Sequence, residues 1–198
     1  MIKFILGKKL GMNQVFDKEG NVIPVTVIEA GPCFVTQTKN QEKDRYNAVQ
    51  IGFEKLKDKK IKKPQKDRPY RYIKEFLNEN GEHKIGDKIT VDIFKEGDKV
   101  KISGTSKGRG FQGVVKRYGC KGGPASHGHR HVARRVGSIG SSFPERVTKG
   151  RKMPGQTGAE RVSISGLKIV KVDAENNLLA VNGAVPGPNG GMLEISSK

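Results

Sequence analysis

The sequence predicts a mainly β fold, a small antiparallel β-barrel body with a long, irregular basic loop extension and few short helices. Three observations carry this. β-branched and aromatic residues gather in short runs bounded by turn residues. These runs stand on both sides of one Gly-rich stretch, so strands from both halves of the chain can close one sheet around a shared core. Helical periodicity is scarce, with Pro69 to Asn78 and Gly110 to Tyr118 the only helix candidates.

Val22 to Glu29 is the clearest strand, preceded by the turn residues Asp17-Lys18-Glu19-Gly20-Asn21 and followed by Gly31-Pro32. Phe34 to Thr38, Tyr46 to Phe53, Lys88 to Phe94 and Lys99 to Ser103 follow, the last two separated by a turn at Glu96-Gly97-Asp98. Period-two alternation puts Val49, Ile51 and Phe53 on one face, and likewise Ile89, Val91 and Ile93, with Lys and Asp opposite. After Arg161 the pattern resumes with Val162 to Ser165, Leu167 to Val172, Leu178 to Val181 and Met192 to Ile195. The expected division is therefore a barrel body of residues 1–102 and 162–198, with a basic loop at 55–74, and an extension of residues 103–161.

The extension holds 13 of the chain's 26 glycines, so neither a strand pattern nor a helical apolar stripe persists through most of it. It also carries 13 Lys or Arg against only Glu145 and Glu160, a net charge of +11. Residues 55–74 contribute another +8, and all remaining residues together come to −1 of the chain's +18. Charge segregated in this way points to a binding surface for a polyanion, since a merely solvated surface intersperses its signs. Nucleic acid leads, with an anionic membrane surface second.

Several other classes of function find no support. Cys33 and Cys120 lie far apart with no Cys-x-x-Cys spacing, which signals neither a disulfide framework nor a zinc knuckle and suits a reducing cytosol. The apolar run at Phe4-Ile5-Leu6 is too short for a signal peptide, and no Arg-rich, Ser-rich leader precedes it. Gly104-Thr105-Ser106-Lys107-Gly108-Arg109-Gly110 resembles a phosphate loop in composition, yet it lacks the spacing and the strand-to-helix setting of a nucleotide P-loop. His127, His129 and His131 would point the same way in an extended segment. Arg130, Arg134 and Arg135 surround them with positive charge that disfavours a metal, so stacking on bases or bonding to phosphate is the better reading. Without clustered carboxylates in this stretch, most hydrolytic mechanisms lose their acid and base. Aromatics there are limited to Phe111, Tyr118 and Phe143, so recognition falls mainly on phosphate, sugar and shape, and folded RNA is the natural target.

The residues also carry a family resemblance. Gly7-Lys8-Lys9-Leu10-Gly11-Met12, Gly104-Thr105-Ser106-Lys107-Gly108-Arg109-Gly110-Phe111, Gly137-Ser138-Ile139-Gly140 and Arg146-Val147-x-Lys149-Gly150-x-x-Met153-Pro154-Gly155-x-x-Gly158 form the first part of it. Val172-Asp173-Ala174-Glu175-x-Asn177-Leu178-Leu179 and Gly183-Ala184-Val185-Pro186-Gly187 complete it. In this order, over nearly the whole chain, they resemble the family of the third protein of the large ribosomal subunit, bacterial type. The chain departs from many bacterial members at Ala133-Arg134-Arg135-Val136, where those have His-Arg-x-Pro.

The resemblance implies a structural protein without enzymatic activity or cofactor, cytoplasmic within the ribosome. It would bind large-subunit (23S-type) rRNA, act early in assembly and brace RNA near the peptidyl-transferase centre. Its expected protein neighbours are the large-subunit proteins numbered fourteen and nineteen, with neither a membrane nor a small-molecule substrate as partner. The rRNA-binding residues expected on this reading are Lys8 and Lys9 in the body and Lys107, Arg109, Lys116, Arg117 and Lys121 at the start of the extension. Within the extension, His127, His129, Arg130, His131, Arg134, Arg135, Arg146, Lys149, Arg151 and Lys152 follow, and Arg161 ends the set. Met153, Pro154, Gly155 and Gln156 would lie at the extension tip, and Gln156 stands where some bacterial members carry a methylated glutamine. The rival readings are a basic architectural DNA-binding protein, an anionic-membrane-surface protein, and a metal-dependent nuclease built on the histidines.

Overall fold

The computed structural model describes residues 3–77 and 83–197. Six strands close an antiparallel barrel in the order β1 (Phe4–Phe16), β12 (Met192–Ser197), β7 (Lys99–Thr105), β10 (Arg161–Asp173), β11 (Leu178–Asn182) and β2 (Val22–Ala30). Strands from both halves of the chain interleave in the barrel, and closure leaves these strands no unpaired edge. β1 and β2 form a hairpin about a turn in which Gly20 N–H donates to the Asp17 carbonyl and Asp17 N–H to that of Asn21. The interior is filled by Ile5, Ile28, Ile102, Leu179 and Ile195, each fully buried. Burying each such side chain stabilises the body by about 1.5–3 kcal/mol.

A second sheet of four strands, β5 (Tyr70–Leu77), β4 (Ala48–Lys55), β3 (Cys33–Lys39) and β6 (Lys88–Ile89), shares the same core. Val49, Ile51 and Phe53 face this core together, as their alternation predicts. Phe4 of the barrel stacks on Phe76 of β5 with ring centroids 4.9 Å apart. Cys33, which exchanges hydrogen bonds with the Leu6 backbone, is fully buried, and burial pushes its thiol up to about 12 despite that bonding. Such a thiol is unreactive at neutral pH.

The structure departs from several expectations. Tyr70–Leu77 is a strand, not part of a helix from Pro69; Asn78, the end of that candidate, lies outside the described residues. Tyr72 and Phe76 pack on Phe53 and Phe4, and pairing with the buried β4 satisfies the backbone in a way an isolated helix there would not. Lys88 to Phe94 is a strand only at Lys88–Ile89. Val91–Ile93 then turns in a 3₁₀ helix, where the Thr90 hydroxyl donates to the Asp92 carboxylate at 2.7 Å. The strand expected from Tyr46 starts at Ala48, and the two expected around Gly166 are a single strand, β10, with a register shift between Ser165 and Leu167. β1 has no counterpart among the expected strands, because Gly7, Lys8, Lys9 and Gly11 break its apolar pattern. The strands β3 and β4 belong to the second sheet instead of the barrel.

Candidate nucleic-acid interface

The chain divides into two compact units, Met1–Thr105 with Arg161–Lys198, and Ser106–Glu160. Thr105 and Arg161 are cross-strand partners at the ends of β7 and β10, so the chain leaves and re-enters the barrel at adjacent points. The second unit begins with a two-legged stem. Ser106 N–H donates to the Glu160 carbonyl at 2.9 Å and Arg109 N–H to that of Thr157 at 2.8 Å. Strands β8 (Gly110–Gln112) and β9 (Gly155–Thr157) then pair antiparallel. Gly158 lets the legs approach: its φ is +75°, and a Cβ there would collide with the Lys107 carbonyl oxygen.

Beyond β8 the helix expected from Gly110 shrinks to the single helical turn Val114–Tyr118, closed by Gly119 in the left-handed region. From 119 to 154 the backbone forms turns, bends and irregular loop. Val114 is the unit's one buried hydrophobic side chain among the described residues. Polar contacts do much of the bracing. Arg117 donates to the Met153 carbonyl at 2.9 Å and lies 4.9 Å from the Tyr118 ring centre, and Lys152 lies over the same ring at 5.9 Å. Arg151 donates to the Ser138 carbonyl, and Gly123 N–H to that of Ala133.

The expected site residues fall into three groups. Lys107, Arg109, Lys116, Lys121, Arg130, Arg134, Arg135, Arg146 and Lys149 are exposed, with the exposed His127 and His131 among them. Arg117, Arg151 and Lys152 are held by the internal contacts just described. Lys149, Arg151 and Lys152 line one hollow of about 430 Å³ together with Cys120 and Val136, a cationic concavity of the kind that accepts phosphate. The third group is tied into the body. Lys9 is only 8% exposed and its ammonium donates to the carbonyls of Val185 and Gly187, whereas Lys8 remains half-buried. Arg161 pairs with Glu194 at 2.5 Å, and Lys74 meets the same carboxylate at 3.2 Å. Burial pushes Glu194 up, but the hydrogen bonds from Arg161 and Lys74 outweigh it and hold the carboxyl below its ordinary range.

The histidines do not share one face of an extended strand as their spacing suggests. His127 and His131 lie in turns, His127 with φ 59°, and the half-buried His129 packs its Nδ1 against Gly123. Among the described residues no group of three or more His, Cys, Asp or Glu is placed to hold a metal ion, and no helix is long and apolar enough to cross a membrane. Met153 is half-buried, Pro154 exposed, and Gly155 and Gln156 enter β9, where Gln156 stands exposed opposite Phe111.

A family model described as Ribosomal protein L3 matches residues 73–191. The chain belongs to the ribosomal protein L3 family. It is 51% identical to the large ribosomal subunit protein uL3 of Pelotomaculum thermopropionicum, over 98% of this chain and 96% of that protein. Its identity to the uL3 of Thermosipho africanus is 52%, over 98% and 97%, and to that of Geobacillus thermodenitrificans 50%, over 100% and 97%. In this L3-family chain three exposed aromatics join the cations of the second unit, Phe143 at 80%, Phe111 at 74% and Tyr118 at 41% exposure. Exposure of large apolar rings beside so many cations is the signal that sequence reading leaves unassigned, since composition alone does not reveal which aromatics are buried.

Proposed function

We propose that this L3-family protein works as a structural RNA binder, holding large-subunit rRNA directly through the cations of residues 106–160. As a family member it is a structural constituent of the large ribosomal subunit and resides in the ribosome in the cytoplasm. The observation that carries the proposal is the contrast inside that unit between one buried apolar side chain and a surface of exposed Lys and Arg. A segment with so little core has little apolar burial to hold its shape, and phosphate in RNA crevices supplies both the counter-charge and the mould. On the same reading the protein acts early in assembly and braces RNA near the peptidyl-transferase centre through Met153–Gln156. It neighbours the large-subunit proteins numbered fourteen and nineteen, and Gln156, exposed in β9, is open to methylation. Catalysis belongs to the RNA, with no cofactor or metal on the protein.

The test is the salt dependence of binding to a large-subunit rRNA transcript. If about 8 of the cations meet phosphates, log K falls against log salt with a slope of about −6 to −7. A flat response removes the phosphate-contact argument. Equal affinity for duplex DNA of the same length transfers the proposal to an architectural DNA-binding role.

A further inference from the structure

A second candidate RNA contact lies on the body, at the root of the basic loop. Lys55 and Tyr70 are cross-strand partners at the ends of β4 and β5, and the Leu56 N–H donates to the Pro69 carbonyl at 2.8 Å, closing the hairpin loop between them. That loop carries six lysines and Arg68 against Asp58 and Asp67, and every one of those lysines is exposed. At its root is a pocket of about 240 Å³, whose lining includes Lys8, Phe34, Phe53, Glu54, Lys55 and Tyr70. This is room for about eight waters, a volume that suits one heterocyclic base and excludes a folded segment.

Two of the sheet's aromatics, Tyr70 and Phe34, are half-buried beside this pocket. A Cβ on Gly52 would lie 2.5 Å from Cγ and Cδ2 of Tyr70, so the missing side chain lets the tyrosine ring lie flat on the strand. Phe34 lies beside it, ring centroids 5.8 Å apart and planes 24° from parallel. Aromatic side chains lying on a sheet surface are a recurring platform for unstacked RNA bases. The two carboxylates at the rim do not reverse the charge. Glu54 accepts from Arg71 at 3.2 and 3.3 Å, and Glu29 stands opposite Lys8 in the β1–β2 register.

We propose that this pocket seats one unpaired RNA nucleotide, its base against Tyr70 and Phe34 and its phosphates toward Lys8, Lys55 and the lysine-rich loop. The proposal rests on the RNA-binding function above and adds to it a contact on the barrel-bearing unit of the chain, specific for an unpaired base.

The test uses the full chain and an RNA hairpin with a single bulged 2-aminopurine, beside the same hairpin fully paired. Expected results are quenching of the 2-aminopurine on binding and an affinity about tenfold higher for the bulged hairpin, the scale of base–aromatic stacking. Tyr70→Ala should erase that preference and leave affinity for the paired hairpin unchanged, while Tyr70→Phe retains it. Because Tyr70 also covers Gly52, a second readout keeps the wild-type protein: a bulged 5-iodouridine, irradiated and mapped by peptide, should crosslink at Tyr70 or Phe34. Equal binding of bulged and paired hairpins, with crosslinks confined to 106–160, overturns the pocket and leaves the RNA-binding reading standing. No salt-sensitive binding of either hairpin overturns both.

Discussion

In the body 23 hydrophobic side chains are buried; in residues 106–160 only Val114 is, among the described residues of each. The body is held by apolar area taken from water around a closed sheet, so its shape is set by its own sequence. The second unit is held by a short two-stranded stem, by backbone hydrogen bonds between its legs, and by arginines that donate to carbonyls at Met153 and Ser138. Exposed hydrogen bonds contribute only modestly in water, so this unit has few interactions of its own that resist local opening. One chain thus combines a body built on its own core with a segment that has almost no core and a surface of exposed cations.

The largest effect should come from separating the two. Replacing Lys121–Met153 by a short Gly-Ser linker should preserve a β-rich circular dichroism spectrum and a cooperative melt. Incorporation into large subunits on a sucrose gradient should fall by roughly tenfold or more, the effect expected when several phosphate contacts are lost. An unfolded product would break the comparison. Point substitutions sharpen it. Leu179→Ala, in the barrel interior, should cost about 2–5 kcal/mol in urea unfolding, whereas Phe143→Ala, at 80% exposure, should stay within about 0.5 kcal/mol. Comparable losses at both sites would show that the second unit carries a core of its own.

The smallest effect lies at Glu194 of β12, which meets Arg161 of β10 across the intervening β7. Glu194 is held below its ordinary range by Arg161 and Lys74, against the opposing push of burial. A depressed carboxyl stabilises the fold above its unfolded value of about 4.3 and loses that contribution as pH falls through the folded value. Glu194→Gln should therefore cost about 0.5–1 kcal/mol at pH 7, discounted because both cations are largely solvated. The cost should vanish in acid as the wild-type carboxyl protonates. A difference between the two proteins that persists unchanged below about pH 3 would discard the pair as its source.

Much of the body is legible in the sequence because alternation is a local signal. Val49, Ile51 and Phe53 declare a buried face without any knowledge of what covers it. The failures share a physical cause. β1 hides behind Gly7, Lys8, Lys9 and Gly11, and Lys9 is accommodated there with the Val185 and Gly187 carbonyls receiving its ammonium from 176 and 178 residues away. Tyr70–Leu77 carries residues compatible with a helix, and only the neighbouring β4 draws it into a sheet. At the candidate interface the cations are plain from composition. Their division into exposed, internally braced and body-bound members is not, because a hydrogen bond to a distant carbonyl leaves no mark on local sequence.

By itself the sequence determined the β class, the segregation of positive charge into two stretches, and the family, since each depends on residue types and their order along the chain. Tertiary structure alone decided that β3 and β4 leave the barrel for a second sheet and that Arg161 belongs to Glu194. It also laid Tyr70 over Gly52 and Phe34 at the root of the basic loop. These are matters of which surfaces meet, and long-range pairing is settled by the packing of the whole core, which no local pattern encodes.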